Sequence, residues 1–346
     1  MKLSIAIFAY NESGNIANFL SDLFAQKVFL DKTHLFEMPS VFVLANGCSD
    51  DTVEKAQAFK ETLSESLQDV LTVVDLPQGG KSRTWNTFVH SLCPADSDYM
   101  LFCDADIRIP KNDIVDNMLA LFGNAPELLV VNSWPRKDTD LEPKSMGFMA
   151  KIITAAGGSL TSYKTTICGQ LYMAKADAIR DIHMPIGLPV EDGFLKAMLL
   201  TKLFSGGENI NGITGSEQVW HSYESITGLF ELLNHQVRIV IGSAINLMLF
   251  NVIRRYKGDH SAAVNLLEQS AREESWLSNH IKAELPTMPY GYVPFHFIVK
   301  RLESLVAQKK YTPKNIFVGV VGFFFDLLVY VIASYKMFRG AGSGHW

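Results

Sequence analysis

A chain of 346 residues that is 48% hydrophobic holds enough apolar material for one large or two ordinary domains. Its net charge of −5 argues against a partner held through nucleic-acid phosphates, so no nucleic acid is expected. The four cysteines, Cys48, Cys93, Cys103 and Cys168, show no CxxC spacing and read as reduced, mostly buried thiols.

The opening run MKLSIAIFAYNE turns polar too early for a signal peptide and reads as a first core strand, Leu3 to Ala9. Further strands are expected at Val41 to Ala45, Val70 to Val74, Tyr99 to Cys103 and Leu128 to Asn132. Helical patterns fall between them at about 13 to 26, 50 to 66, 81 to 92 and 111 to 122. This alternation predicts an α/β fold with a mostly parallel sheet, helices on both faces and right-handed crossovers. Such a sheet gathers the loops that follow its strands along one edge, where ligands bind.

Four loops on that edge are polar in an ordered way. AYNESGNI sets Asn11 and Glu12 just past the first strand, and ANGCSDDT makes a turn at Asn46 and Gly47 with Ser49 or Asp50 able to cap the next helix. LPQGGKSRTWN places a glycine pair before Lys81 and Arg83, so cations stand beside backbone that an anion can approach. The GKS here is not a P-loop, because Asp75 occupies the position of its first glycine. DYMLFCDADIRIP then empties an apolar strand into Asp104 and Asp106, a hard oxygen pair suited to Mg²⁺ or Mn²⁺ carrying phosphate oxygens. The same two acids also suit the cap of a helix opened by Pro110.

FAYNESGNI, LANGCSDDT, GGKSRTWN and FCDADIRIP are followed by GQLYMAKADAI at 169 to 179 and PVEDGFLKAMLL at 189 to 200. In order and spacing they resemble the sugar-nucleotide-binding half of family 2 glycosyltransferases over about residues 1 to 242. The resemblance implies a GT-A fold and an inverting transfer from a UDP- or GDP-sugar. By that resemblance Glu12 and Asn46 would touch the nucleobase and ribose, Lys81 would lie near the nucleotide, and Asp104 and Asp106 would hold ribose and Mn²⁺ or Mg²⁺. Glu191 and Asp192 match the family's ED pair with Asp192 as general base, His221 stands where some relatives supply a further metal ligand, and Arg238 matches an arginine of the QxxRW pattern.

Alternatives stay open at two of these places: His221 also fits a structural core residue, and two acids also suit the start of the helix FLKAMLLTKL. Departures from the family are informative as well. Asn46 replaces a common aspartate, which leaves the nucleobase open, and Phe8 replaces a usual proline. His235 and Ile239 stand at the other two marked positions of QxxRW, which argues for transfer of one sugar and against a polymer-extending synthase. Three rival readings remain. LFCDADIR partly imitates the nucleophile loop of haloacid-dehalogenase-like phosphatases, a nucleotidyltransferase can use a similar sheet, and a non-catalytic membrane module can bind a sugar nucleotide.

Beyond residue 222, the end of the expected catalytic domain, the rhythm turns helical. In the region 223 to 310 the apolar span Ile239 to Ile253 has 15 residues between Arg238 and Arg254, short of the roughly 20 that cross a bilayer, and reads as a core helix or an interfacial one. Residues 259 to 282 read as an ordinary solvated amphipathic helix. In 311 to 346, Ile316 to Tyr335 is a 20-residue apolar run with Asp326 as its one charge, fit to span a bilayer or to pack in or on it. Lys309, Lys310 and Lys314 precede it and Lys336 and Arg339 follow, which places the catalytic domain on the cytoplasmic side of the cell membrane. The acceptor expected from this placement is a lipid, a lipid-linked group or a saccharide. Loop 133 to 148 is expected to read the sugar hydroxyls, and GAGSGHW reads as a flexible tail.

Overall fold

The computed structural model describes residues 1–30, 37–141, 162–285, 291–308 and 311–339, so the GAGSGHW tail and the second half of loop 133 to 148 lie outside the described residues. Eight strands form one sheet: β1 Leu3–Ala9, β2 Ser40–Asn46, β3 Leu71–Leu76, β4 Tyr99–Asp104, β5 Ile107–Arg108, β6 Val130–Lys137, β7 Leu171–Lys175 and β8 Ile213–Tyr223. Their order is β3-β2-β1-β4-β7-β6-β8-β5. Every residue of β1 is buried, as a strand covered on both faces requires.

β1 runs parallel to β2 and β4, and β2 parallel to β3. β7 is antiparallel to both β4 and β6, while β6 and β8 are parallel. Two reversals restore the direction, so β6 and β8 end on the same edge as β1 to β4. The reversal at β7 and the strand β8 were not legible as elements, because the sequence ITGSEQVWHSY has no continuous apolar run.

Ten helices position the site: α1 Ile16–Phe24, α2 Thr52–Glu61, α3 Lys81–Thr87, α4 Ile114–Asn124, α5 Glu191–Thr201, α6 Leu229–Ile253, α7 His260–Arg272, α8 Trp276–Glu284, α9 His296–Gln308 and α10 Pro313–Phe338. Ile16, Phe19 and Leu20 of α1 and Ile114 and Met118 of α4 fill one face of the sheet with Ile5, Ile7 and Leu101. Trp85, Phe88 and Phe194 cover the other face with Phe102 and Tyr172. The expected helix 81 to 92 is α-helical to Thr87 and continues as one π-helical stretch, Phe88–Leu92.

The same second core runs without a break into Val237, Val240, Ile245 and Leu249 of α6 and Val329, Ala333 and Met337 of α10. Both α6 and α10 are long and apolar enough to cross a membrane, but 56% of the apolar stretch of α6 is buried against 22% for α10. Of the two readings of Ile239 to Ile253, burial favours the core helix. In α10 the glycines 319 and 322 face Leu305 and Arg301 of α9, and Asp326, 3% exposed, accepts a 2.8 Å bond from Arg301 Nε. The expected cost of Asp326 is therefore met by a partner inside the protein. Phe317, Val321, Phe324, Leu328, Val331 and Tyr335 recur every three or four residues on α10 and are exposed.

Candidate active site

The loops after β2 and β3 press together before α3 begins. Gly47 has φ +65° and a β-carbon there would lie 2.9 Å from Gly79, so only glycine fits this approach. Gly80, with φ +127°, turns the chain into α3 and leaves Lys81 at its first position, beside the end of β4. Lys81 Nζ lies 2.6 Å from Asp104 Oδ1 and 3.3 Å from Glu191 Oε1, and donates to the Gly169 carbonyl at 3.3 Å.

Gly169 is the meeting point. A β-carbon placed on it would lie 3.6 Å from Glu191 Oε1, 3.8 Å from the Asp192 β-carbon and 3.8 Å from Lys81 Nζ. The end of β4, the start of α3, the approach to β7 and the start of α5 therefore converge at one mouth. α6 holds α5 in this position: a β-carbon on Gly242 would lie 2.2 Å from Val190 Cγ2, and Asn246 Nδ2 donates to the Val190 carbonyl at 2.9 Å.

Glu191 and four further acids gather at this mouth, and four of them, Glu12, Asp104, Asp106 and Asp192, are raised above the usual carboxylate range. Burial raises Asp104 to about 6 despite Lys81, with Asp106 adding to the rise. Burial lifts Asp106, helped by the charge of Glu12, and burial likewise raises Glu12, with Asp104 contributing. Burial next to Glu191 pushes Asp192 up to about 6, while Lys81 and Arg238 favour its ionised form. Burial opposes the Lys81 ammonium, but Asp104 and Glu191 hold it charged well above its usual range. Carboxylates in this excess, Asp104 half-buried and Asp106 exposed at the mouth, are hard oxygen donors in a field that a divalent cation would relieve, so the pair fits Mn²⁺ or Mg²⁺ with the remaining positions left to phosphate and water.

The other expected residues are placed as follows. Glu12 N donates to Thr52 Oγ1 at 2.8 Å, and Asp50 accepts from Ser13 and Thr52, bonds that overcome its burial and pull it down to about 2. Asn46 is buried and its Oδ1 accepts from Thr84 Oγ1 at 2.9 Å. Arg83 turns away from the mouth to Glu274, with NH2 to Oε2 at 2.7 Å.

His221 is fully buried beside β6. Its Nδ1 is 2.9 Å from Ser133 Oγ and its Nε2 3.2 Å from Gln170 Oε1, and full burial lowers its pKa to about 3, so the ring is neutral. Among the described residues no three His, Cys, Asp or Glu side chains form a set able to hold a cation. Gly169 and Gln170 are site-edge positions to which local sequence assigned no role. They preceded an apolar strand, and only packing showed that the Gln170 carbonyl accepts from Asp104 N at 2.8 Å. A cavity of about 300 Å³ lined by Met1, Ser97, Asp98 and Lys175 opens at the opposite edge of the sheet, away from the acids.

The sequence model described as glycosyl transferase family 2 matches residues 4–180. No curated protein sequence matches the chain. Among solved structures, the mannosyltransferase PcManGT from Pyrobaculum calidifontis, in complex with GDP-Man and Mn²⁺, superposes with a TM-score of 0.53 at 16% identity, over 97% of this chain and 86% of that one. TarS residues 1–349 of S. aureus superposes with a TM-score of 0.50 at 14% identity, over 98% of this chain and 92% of that one. These likenesses establish the fold as the GT-A type with a helical carboxyl-terminal region.

Proposed function

The chain belongs to glycosyl transferase family 2 and is a glycosyltransferase, and on that premise we propose that it moves one sugar from a nucleotide-diphosphate donor, a UDP- or GDP-sugar, to an acceptor hydroxyl with inversion. Membership displaces the phosphatase and nucleotidyltransferase readings. The observation that carries the proposal is the convergence of Lys81, Asp104, Glu191 and Asp192 around Gly169.

In this reading Asp192 takes the acceptor proton as the new sugar–oxygen bond forms and the bond to the diphosphate breaks on the opposite face. A carboxylate raised to about 6 is still ionised at neutral pH yet more basic than an ordinary one. Glu191 and Lys81 hold the start of α5 against β4, and Arg238 keeps Asp192 ionised. Glu12 and Asn46 would line the ribose and nucleobase, with Asn46 Oδ1 already bonded to Thr84. Asp104 and Asp106 would hold Mn²⁺ or Mg²⁺, and a cation bound there neutralises the charge of the departing diphosphate.

The acceptor we read as a lipid, lipid-linked group or saccharide at the cytoplasmic face of a membrane. Support comes from the exposed apolar stripe of α10 with Lys336 and Arg339 exposed at its end, a pattern suited to an anionic bilayer surface. Full-length protein should cosediment with phosphatidylcholine vesicles doped with anionic lipid; a concentration-dependent dimer and no sedimentation would give the stripe to a second copy.

A thermal-shift screen of nucleoside diphosphates and their sugars, with and without Mn²⁺, tests the donor site. One base should raise the melting temperature with Mn²⁺ more than the others, and the gain should vanish in Asp106→Asn. Equal response to all bases and no need for a divalent ion would sink the proposal.

A further inference from the structure

β6 and β8 end beside the acids, and their last residues make an aromatic and cationic column. The Arg136 guanidinium carbon lies 5.2 Å from the Trp134 ring centre and 4.9 Å from that of Trp220. Trp134 in turn stacks on Tyr163, with centroids 5.3 Å apart and planes 17° apart, and Lys164 Nζ lies 5.7 Å from the Tyr163 ring. The order is therefore Lys164, Tyr163, Trp134, Arg136, Trp220.

Arg136 lies between two indoles and, unlike many arginines of this chain, is not matched to an acid among the described residues. Arg83, Arg108, Arg255, Arg272 and Arg301 each bond a carboxylate. Among the described residues neither Arg136 nor Lys164 has a carboxylate partner, although Arg136 is half-buried. With two indoles within about 5 Å of the guanidinium carbon, its N–H groups remain the part able to make paired bonds to an oxyanion. A second cation on the same column matches a doubly charged phosphoryl group better than a single carboxylate.

The column adjoins the transfer site: Pro135, next to Arg136, opposes His221, whose Nε2 lies 3.2 Å from Gln170 Oε1, and the Gln170 carbonyl accepts from Asp104 N at 2.8 Å. Arg136 and Arg108 both oppose Ser222, one from each side of β8, so the three lie in a row across β6, β8 and β5. With neighbouring strands about 4.8 Å apart, Arg136 stands about 10 Å from Arg108, two residues beyond Asp106.

We infer that the Trp134–Arg136–Trp220 clamp is an acceptor subsite that grips a phosphoryl group on the acceptor, away from the hydroxyl that attacks. The inference rests on the glycosyl-transfer reading and deepens it, because it names the acceptor as phosphorylated. The phosphoryl group is an anchor here, so Asp192 still has a hydroxyl proton to take. A soluble phosphomonoester and a phosphorylated lipid share this chemistry.

The clamp supplies its own probe, since two indoles form its jaws. Intrinsic fluorescence of the full-length protein is titrated with glycerol 3-phosphate and, separately, with phosphatidylcholine vesicles containing phosphatidic acid; glycerol and plain vesicles are the uncharged counterparts. A saturable change with at least one phosphorylated probe is expected, weakened at least tenfold in Arg136→Met, because charge-assisted bonds of this kind are lost with the guanidinium. Arg136→Lys keeps the charge and the packing but not the fork, and should weaken the same probe at an unchanged melting temperature. Response to the soluble ester alone or to the lipid alone identifies the source, and either supports the subsite. Equal binding by wild type and both variants overturns it, as does full displacement of the probe by a nucleoside diphosphate with Mn²⁺, which would make the clamp part of the donor site. If no nucleotide stabilises the wild-type protein, the transfer reading fails on its own, while the Arg136 titration still decides whether the clamp binds phosphate.

Discussion

Two cation–aspartate contacts sit in this molecule under opposite charge balance. At the sheet edge Lys81 meets Asp104 at 2.6 Å, and Glu12, Asp106, Glu191 and Asp192 crowd the same field. Between α9 and α10, Arg301 meets Asp326 at 2.8 Å, and Lys300 adds a second positive charge to one acid. The second contact is complete within the chain and joins two helices. The first leaves partly buried acids short of cations, an arrangement that desolvation disfavours and that a bound cation and its ligand would complete. Surplus charge, more than the presence of an ion pair, distinguishes the site from the scaffold.

The comparison can be broken at either end. Asp192→Asn should lower turnover by about 10²–10⁴-fold while nucleotide binding, read by thermal shift, survives; near-normal turnover would remove Asp192 as the base. At the scaffold contact the expected loss is in folding. Arg301→Met leaves Asp326 buried without its hydrogen-bonded partner, with only the charge of Lys300 remaining, and should cost about 3 kcal/mol in denaturant unfolding, whereas Arg301→Met with Asp326→Leu should recover most of it. A double variant as unstable as the single one would mean that the pair, and not its balance, is what matters.

Acidity sharpens the contrast further. Turnover at saturating donor should fall about tenfold per pH unit below about 6 as Asp192 protonates. Stability should move the other way. The folded-state pKa of Asp192 lies above the unfolded value near 3.9, so the folded protein binds its proton more tightly; stability rises as pH falls through 6 and levels off below about 4. By the same sign Asp192→Asn should stabilise the fold at pH 7 by about 2 kcal/mol. The smallest effect is expected on the exposed stripe. Phe324→Gln or Leu328→Gln should weaken vesicle binding by about 1 kcal/mol each and leave the melting temperature within a degree or two, because neither side chain is buried in the protein.

Much of the site edge was legible because the first half follows strict local rules. β1, β2, β3 and β4 each show as an apolar run ending in polar residues, and a parallel sheet sends all those ends to one side. Less was legible where partners lie far apart in the chain. Arg83 looked as suitable for phosphate as Lys81 until Glu274, 191 residues away, took it. That Ser133 and Gln170 meet the two nitrogens of His221 was likewise not readable from its local sequence.

From the amino-acid order alone came the α/β rhythm, the edge on which four loops must meet and the acids those loops present, since periodicity and turn chemistry act over a few residues. Tertiary structure decided that β7 runs backward, that Gly169 draws Lys81, Glu191 and Asp192 together, and that Asp326 faces Arg301 and not the outside. Such choices depend on distances between segments tens to hundreds of residues apart, and electrostatic and packing energies respond to those distances, which no local pattern encodes.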